Sequence, residues 1–500
     1  MLESVSLFSV FDWLVVISFL AILITVGIRA GSQQKNVKDY FLGGRNMPWW
    51  AVGVSIVAAE TSALTFIGVP AMSYAQNGDL SYIQILIGYV LARIVLAVVM
   101  VPHYFKGEIF SAYQLLKDRF GNSPLILSSA FFLIGGSLAA GVRVYVTAIP
   151  LKHLLDVDII VAILVFVAIS IFYTIKGGVK SVIWTDFLQF FIFVGGGIFV
   201  LFYIPTAMSD MSMSTIVKEA SEAGKLHWFH PQFSLKAPFN IWMGLIGATI
   251  GVMYSHGVDQ LLVQKILTCN NTRDGRKALI LSAALVFPLF VIFLLVGVLL
   301  FVFYQHHPIK LPIPINSQGA PQNDHVFPIF ILTEAPIFLK GFLIAGILSA
   351  ALSSISGAIS ALSSIWTMEF YKRFINTTRS EAFYLKYSRW MIVFFGAVLI
   401  AIAFMSQNVE LVFNLAFSLA GLTAGAMLGA VLLSLMVKHW NPKPVIAGML
   451  TSFAVMSVIV VMGQMGKLSI FWPWYPVIGS AVMMITSYIV NRLFFADQAE

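Results

Sequence analysis

The sequence predicts an all-α polytopic membrane protein, on three observations. Of its 500 residues, 59% are hydrophobic and only 10% charged, with a mean hydropathy of +0.90. A soluble chain of this length could not hide so much apolar surface in a core. The apolar residues gather into thirteen stretches near the roughly 20 residues a helix needs to cross a bilayer. The basic residues lie almost wholly between those stretches, so the net charge of +8 reads as a topology signal and not as a nucleic-acid footprint.

The first span, 9–30, has Glu3 and Asp12 at its start and no basic leading region or small-residue cleavage site, so it reads as a retained helix. The second, 49–74, carries Glu60, Thr61, Ser62 and Thr65 near its middle, flanked by Gly68 and Pro70, which weaken a helix. Spans 80–103 and 124–149 contain Arg93 and Arg143, the only Lys or Arg residues that lie well inside a span and away from its ends. Between them Tyr104 to Gly121 mixes aromatic and charged residues, as an interfacial amphipathic helix does. Spans 158–175 and 180–205 follow. The seventh, 238–264, repeats the theme of the second with Gly247, Gly251, Ser255, His256, Gly257 and Asp259. Spans 278–304, 338–366, 388–406, 409–436, 444–463 and 473–494 complete the set.

Only the loops 206–237 and 305–337 are long, and neither is large or cysteine-rich enough to be a domain. Cys269 is the sole cysteine, which excludes an intramolecular disulfide. One membrane domain is expected over 1–500. It comprises a leading helix (9–30), five-helix units at 49–205 and 238–436, and two trailing helices (444–494). The interrupted spans two and seven are five apart, the spacing of an inverted repeat whose first helices break at a binding site. With thirteen spans the termini lie on opposite sides. Twenty-one Lys and Arg fall on one side and seven on the other, which predicts an external N-terminus and a cytoplasmic C-terminus in the plasma (cell) membrane.

In the ninth span Ser349, Ser353, Ser356, Ser360 and Ser363 are spaced four, three, four and three, on one helical face, and Ser354 adds a hydroxyl. A hydroxyl facing lipid is unsatisfied, so the stripe faces helices, a cavity or an ion. Packing by small residues is one reading, and a small-cation pathway is the other. For Gly421, Gly425 and Gly429 in span eleven, close helix contact is the reading.

Five segments, DYFLGGRNMPWW (Asp39 to Trp50), AAETSALTFIG (Ala58 to Gly68), KGGVKSVIWTDFLQ (Lys176 to Gln189), DQLLVQK (Asp259 to Lys265) and SAALSSISGAISALSSIWTMEFYKR (Ser349 to Arg373), together resemble the sodium:solute symporter family. That resemblance implies a LeuT-type 5+5 inverted-repeat fold with one leading and two trailing helices, in agreement with the count of about 13 transmembrane helices. It implies sodium ligation by the carbonyls of Ala58, Thr61 and Ala350 and the hydroxyls of Ser353 and Ser354. Na⁺ is a hard cation, and these neutral oxygens would hold it without burying a full negative charge. A second sodium site of some relatives would fall on Asp186, Ser353 and Ser356 and on Gly357, which has no hydroxyl. Asp186 either takes part there or pairs with Lys180 in a salt bridge.

Substrate candidates on the second, fourth and seventh spans are Glu60, Ser62, Thr65, Arg143, Ser255 and His256. Thr65 and Ser255 stand where the resemblance's sugar transporters carry a sugar-contacting glutamine and a gating tyrosine. Arg143 can recognise a carboxylate bidentately, or else snorkel or pair with an acid. His256 reads as a hydrogen-bonded structural residue or a proton carrier. The expected function is a sodium-coupled symporter importing a small organic solute, a carboxylate first, by alternating access. A neutral sugar or amino acid is the alternative cargo. A sensor on the same fold, a channel and a membrane enzyme are the competing classes. No organic cofactor, nucleic acid or obligate protein partner is expected beside sodium, solute and lipid.

Overall fold

The computed structural model describes residues 9–31, 34–61, 63–107, 109–155, 157–315, 321–406, 412–437 and 440–495. Among these residues, all thirteen expected spans fall on helix. Eight helices are long and apolar enough to cross a membrane, and the pair Trp49–Glu60 and Thr65–Tyr74, bent by 59°, makes a ninth span. One of the eight, Ile159–Ala207, reverses at Gly178 (φ 52°, ψ −148°) and so holds the fifth and sixth spans. Only glycine fits that corner, because a Cβ there would lie 2.3 Å from the Tyr40 carbonyl oxygen. Shorter or interrupted helices supply the other three spans: Ile83–Val99, the series from Met243 to Ile266, and Val412–Met436.

The ninth span is the centre of the bundle. In Leu339–Ile375, 94% of the most apolar window is buried, against 28% in Val10–Ala30 and 22% in Trp472–Phe494. Its small Ser, Ala and Gly residues let neighbouring backbones close in. The Ile159–Ala207 helix packs along it most extensively, and the first span touches both. Asp12 staples the first span to the ninth: its Oδ1 accepts from the N–H groups of Phe338 (2.8 Å) and Gly341 (3.0 Å), at the start of Leu339–Ile365. The glycine ladder of span eleven is a contact surface, with Gly421 on Tyr475, Gly425 on Gly479 and Gly429 on Met483.

Both breaks fall where the polar residues interrupt the apolar run. Trp49–Glu60 stops at Thr61 (φ −81°, ψ 97°), and Ala63–Tyr74 follows. In the seventh span Thr249–Gly257 ends at Val258 (φ −132°), and the Asp259 side chain caps Gln260–Ile266 by accepting from the Leu261 N–H at 2.9 Å. At the far end of Ala63–Tyr74, the buried Lys225 ammonium donates to the carbonyls of Tyr74 (3.3 Å), Ala75, Gln76 (3.3 Å) and Gly78 (3.0 Å). It also lies 4.0 Å from the Phe301 ring centroid. Tyr74 is the last residue of the helix and the other three carbonyls belong to the turn that follows, so the cation answers both the negative end of the helix dipole and the turn. Burial pushes the ammonium pKa down to about 8.

Candidate functional site

The two breaks bring Glu60, Ser255 and His256 together, with Arg93 from the third span between them. The Arg93 guanidinium donates to Glu60 Oε2, Ser282 Oγ (3.1 Å) and the Tyr89 carbonyl (3.0 Å), and its Nη2 lies 3.0 Å from His256 Nε2. The other ring nitrogen of His256 is 2.9 Å from Ser255 Oγ. Arg93 and His256 are buried and Glu60 nearly so, and the cluster neutralises itself. His256 is thus a hydrogen-bonded member of a polar network. A cavity of about 1110 Å³, lined by Tyr74, Gln76, Asp79, Tyr82 and His230 among others, opens on the face that carries the 206–237 loop. From it Tyr82, whose hydroxyl is 3.2 Å from that of Tyr89, leads to Arg93, whose guanidinium carbon is 5.7 Å from the Tyr89 ring centroid.

One level away, Asp186 joins four spans. Its Oδ1 accepts from Ser353 Oγ at 2.6 Å, and its Oδ2 accepts from Ser55 Oγ at 2.6 Å and from the Lys265 ammonium. Lys265 donates also to Ser55 Oγ and to the Ser55 carbonyl, both at 3.0 Å. The partner of Asp186 is therefore Lys265 and not Lys180. Hydropathy ends the seventh span at residue 264, which places Lys265 in a loop, whereas the structure buries it. Ser353 Oγ spends its proton on Asp186, so its oxygen can still act as an acceptor. Ser354 Oγ donates to the Ala350 carbonyl at 3.3 Å, and Ser356 Oγ to the Ser353 carbonyl at 3.1 Å. Ala58, Thr61 and Ala350 are buried, and Thr61 Oγ1 has no hydrogen-bond partner among the described residues.

Arg143 stands apart from the Glu60 cluster. Arg143 is half-buried and, among the described residues, its guanidinium has neither an ion pair nor a hydrogen bond. Thr65 is partly exposed on Ala63–Tyr74, and Ser62 lies outside the described residues. Sequence reasoning missed Arg93, Ser55, Lys265 and Asp259 as site residues. Arg93 carried the same signal as Arg143, a cation inside a span, and could have been weighed beside it.

A model of the sodium:solute symporter family matches residues 40–452. The chain belongs to that family. The symporter is similar along its length to the sodium/sialic acid symporter SiaT of Proteus mirabilis (strain HI4320), 30% identical over 495 residues that cover 97% of this chain and 96% of the relative. It is 26% identical over 458 residues to human sodium-coupled monocarboxylate transporter 1, covering 91% of this chain and 73% of that one. A solved Na⁺-coupled sialic acid symporter, in a substrate-bound outward-open state, matches with a TM-score of 0.87 at 28% identity, covering 97% of this chain and 98% of the other. Mhp1, a nucleobase-cation-symport-1 family transporter, shares the fold at a TM-score of 0.58 and 13% identity, covering 90% and 93%. The symporter thus has the LeuT-type architecture and is a multi-pass membrane transporter that couples a small organic solute to sodium; it is not an enzyme.

Proposed function

We propose that the cargo is a small carboxylate, a sugar acid of the kind named for the sialic acid relatives, and that Arg143 reads its carboxyl group. The carrying observation is the contrast between the two in-span arginines. Arg93 is saturated by Glu60, His256, Ser282 and Tyr89, whereas the Arg143 guanidinium has no partner among the described residues. A guanidinium inside a membrane domain without a bonded anion is costly, and a bidentate carboxylate relieves that cost. Glu60, Thr65, Ser255 and His256 supply donors and acceptors for hydroxyls on the same cargo, with Ser62 adjacent in sequence.

Sodium binds at Ala58, Thr61, Ala350, Ser353 and Ser354, joining the break of the second span to the ninth. Its presence favours the substrate-competent conformation, and this difference in affinity between states couples the two cargoes. The N-terminus faces outward and the C-terminus the cytoplasm, as the distribution of basic residues supports. Uptake by Arg143→Gln in proteoliposomes tests the reading. The half-saturating concentration for the acid should rise at least tenfold while that of its amide or ester changes little. An equal loss for acid and amide would remove Arg143 from substrate recognition.

A further inference from the structure

The connection between the third and fourth spans, Tyr104 to Gly121, is held like a strap by side chains from other elements. Arg45, just before the half-helix Trp49–Glu60, donates to the carbonyls of Gly107 (3.2 Å) and Ile109 (3.0 Å). The Tyr104 hydroxyl donates to the Gly257 carbonyl, at the break of the seventh span. Beyond that break, Gln260 opens the half-helix Gln260–Ile266, and its Nε2 donates to the Phe110 carbonyl at 2.6 Å. One half of each interrupted span therefore rests on the same strap.

The strap is fastened in turn at the end of the ninth span. Glu369 is fully buried there; its Oε1 accepts from Ser111 Oγ at 2.8 Å and from Gln114 Nε2 at 2.6 Å, and its Oε2 pairs with the Arg373 guanidinium at 2.8 Å. Gln114 is used at both ends, since its Oε1 accepts from the Phe110 N–H at 3.1 Å. A single run of bonds thus leads from Arg373 through Glu369, Gln114 and Phe110 to Gln260, joining the ninth span to the seventh. Polar bonds suit a contact that must part. A carboxylate and amides drawn out of the protein regain hydration, so closed and open forms stay close in free energy. The helix Ile83–Val99 begins beside Tyr82, in the wall of the 1110 Å³ cavity, and its other end leads into the strap. Cavity and strap therefore face opposite sides of the membrane.

We propose that the strap is the gate of the face opposite the cavity and that Glu369 is its bolt. While Glu369 holds Ser111 and Gln114, the half-helices Trp49–Glu60 and Gln260–Ile266 cannot withdraw from the ninth span, and solute leaves toward that face only when those bonds part. A symporter of this architecture opens its path to each face in turn, and the broken helices line that path. In this structure the strap is fastened and the open face is the one with the cavity.

Ser360 can report the opening. It is buried on the ninth span, and its Oγ donates at 3.4 Å to Gln264 Oε1, on the half-helix that the strap holds. Withdrawal of that half-helix bares it to water. Cys269 is the sole cysteine, so Ser360→Cys in a Cys269→Ser background carries one reactive thiol. The full chain is reconstituted in liposomes, and labelling by a membrane-impermeant maleimide is timed in vesicles of both orientations, so that the test does not depend on which way the chain inserts. Melting temperature is measured beside it. Glu369→Leu and Gln114→Leu should each raise the labelling rate about fivefold or more, because losing a charge-assisted bond from the closed form shifts a two-state equilibrium toward the open one. Lys372→Gln, which breaks only the 2.8 Å pair between Lys372 and Glu381 at the same helix end, should leave labelling unchanged. If both leucine variants lower the melting temperature and leave labelling unchanged, the Glu369 bonds are structural and the proposal falls; an equal rise in Lys372→Gln overturns it too. Should Glu369→Leu fail to fold, Gln114→Leu decides, since it leaves Glu369 bonded to Ser111 and Arg373.

Discussion

Ser353 and Ser354 are adjacent serines in different circumstances. Ser353 supplies a proton to Asp186, while Ser354 turns back on its own helix at Ala350. Ser354→Ala should therefore weaken apparent sodium affinity by about 1–2 kcal/mol, roughly five- to thirtyfold, and leave the melting temperature in potassium nearly unchanged. Ser353→Ala should cost a similar amount in affinity and a further ~1–3 kcal/mol in stability, because Asp186 Oδ1 loses its donor inside the bundle. Sodium titration of uptake beside a melting curve checks the pair, and the same profile for both variants would contradict the geometry. The serine stripe was legible because its period is local. Lys265 was not: its partner Asp186 lies 79 positions away, and no window along the chain reports a contact at that range. Arg93 and Arg143 show the same limit, since sequence placed both inside spans and only packing shows which one is already satisfied.

At the level of elements, the broken second and seventh spans were readable from Gly, Pro and polar residues, but the exact break in the seventh was not. Its glycines serve close contact, as where a Cβ on Gly257 would lie 2.5 Å from a Leu96 methyl, and the chain leaves the helix one residue later at Val258. The half-helix Ala63–Tyr74 depends on a residue from another element, Lys225, to cap its carbonyl end. Lys225→Met should lower stability by about 1–3 kcal/mol at pH 7, since buried carbonyls lose a shared donor. The pH dependence has a definite sign. With its pKa depressed from 10.5 to about 8, folded Lys225 holds fewer protons than the unfolded chain between those values. Wild-type stability relative to the methionine variant should thus rise with pH across that window and stay flat below about pH 7. Melting curves of both proteins from pH 6 to 10 would show this, and a difference that shrinks as pH rises would refute it.

For the whole molecule, composition, span count and the spacing of the two interrupted helices were enough to anticipate an inverted-repeat transporter, because the bilayer fixes element length and demands that every polar group inside it be answered. The number of ions moved per cycle follows from side-chain contacts that those rules do not reach. Asp186 is occupied by Ser55, Ser353 and Lys265, Ser356 donates to a backbone carbonyl, and Gly357 faces Leu261 without a hydroxyl. The Lys265 ammonium already pairs with the carboxylate on which a second sodium would depend. Transport against sodium concentration should be hyperbolic with one sodium per substrate, measured by parallel ²²Na⁺ and solute fluxes; a ratio of two would refute that expectation. The Lys225 cage has a mechanical meaning as well. One bond from Lys225 to the last residue of that half-helix and three to the turn behind it tie the 206–237 loop there, so a swing of that half would carry the loop along. A nanobody raised against the exposed helix Met213–Glu222 of that loop would therefore hold a moving part of the transporter while touching no residue of the cargo path.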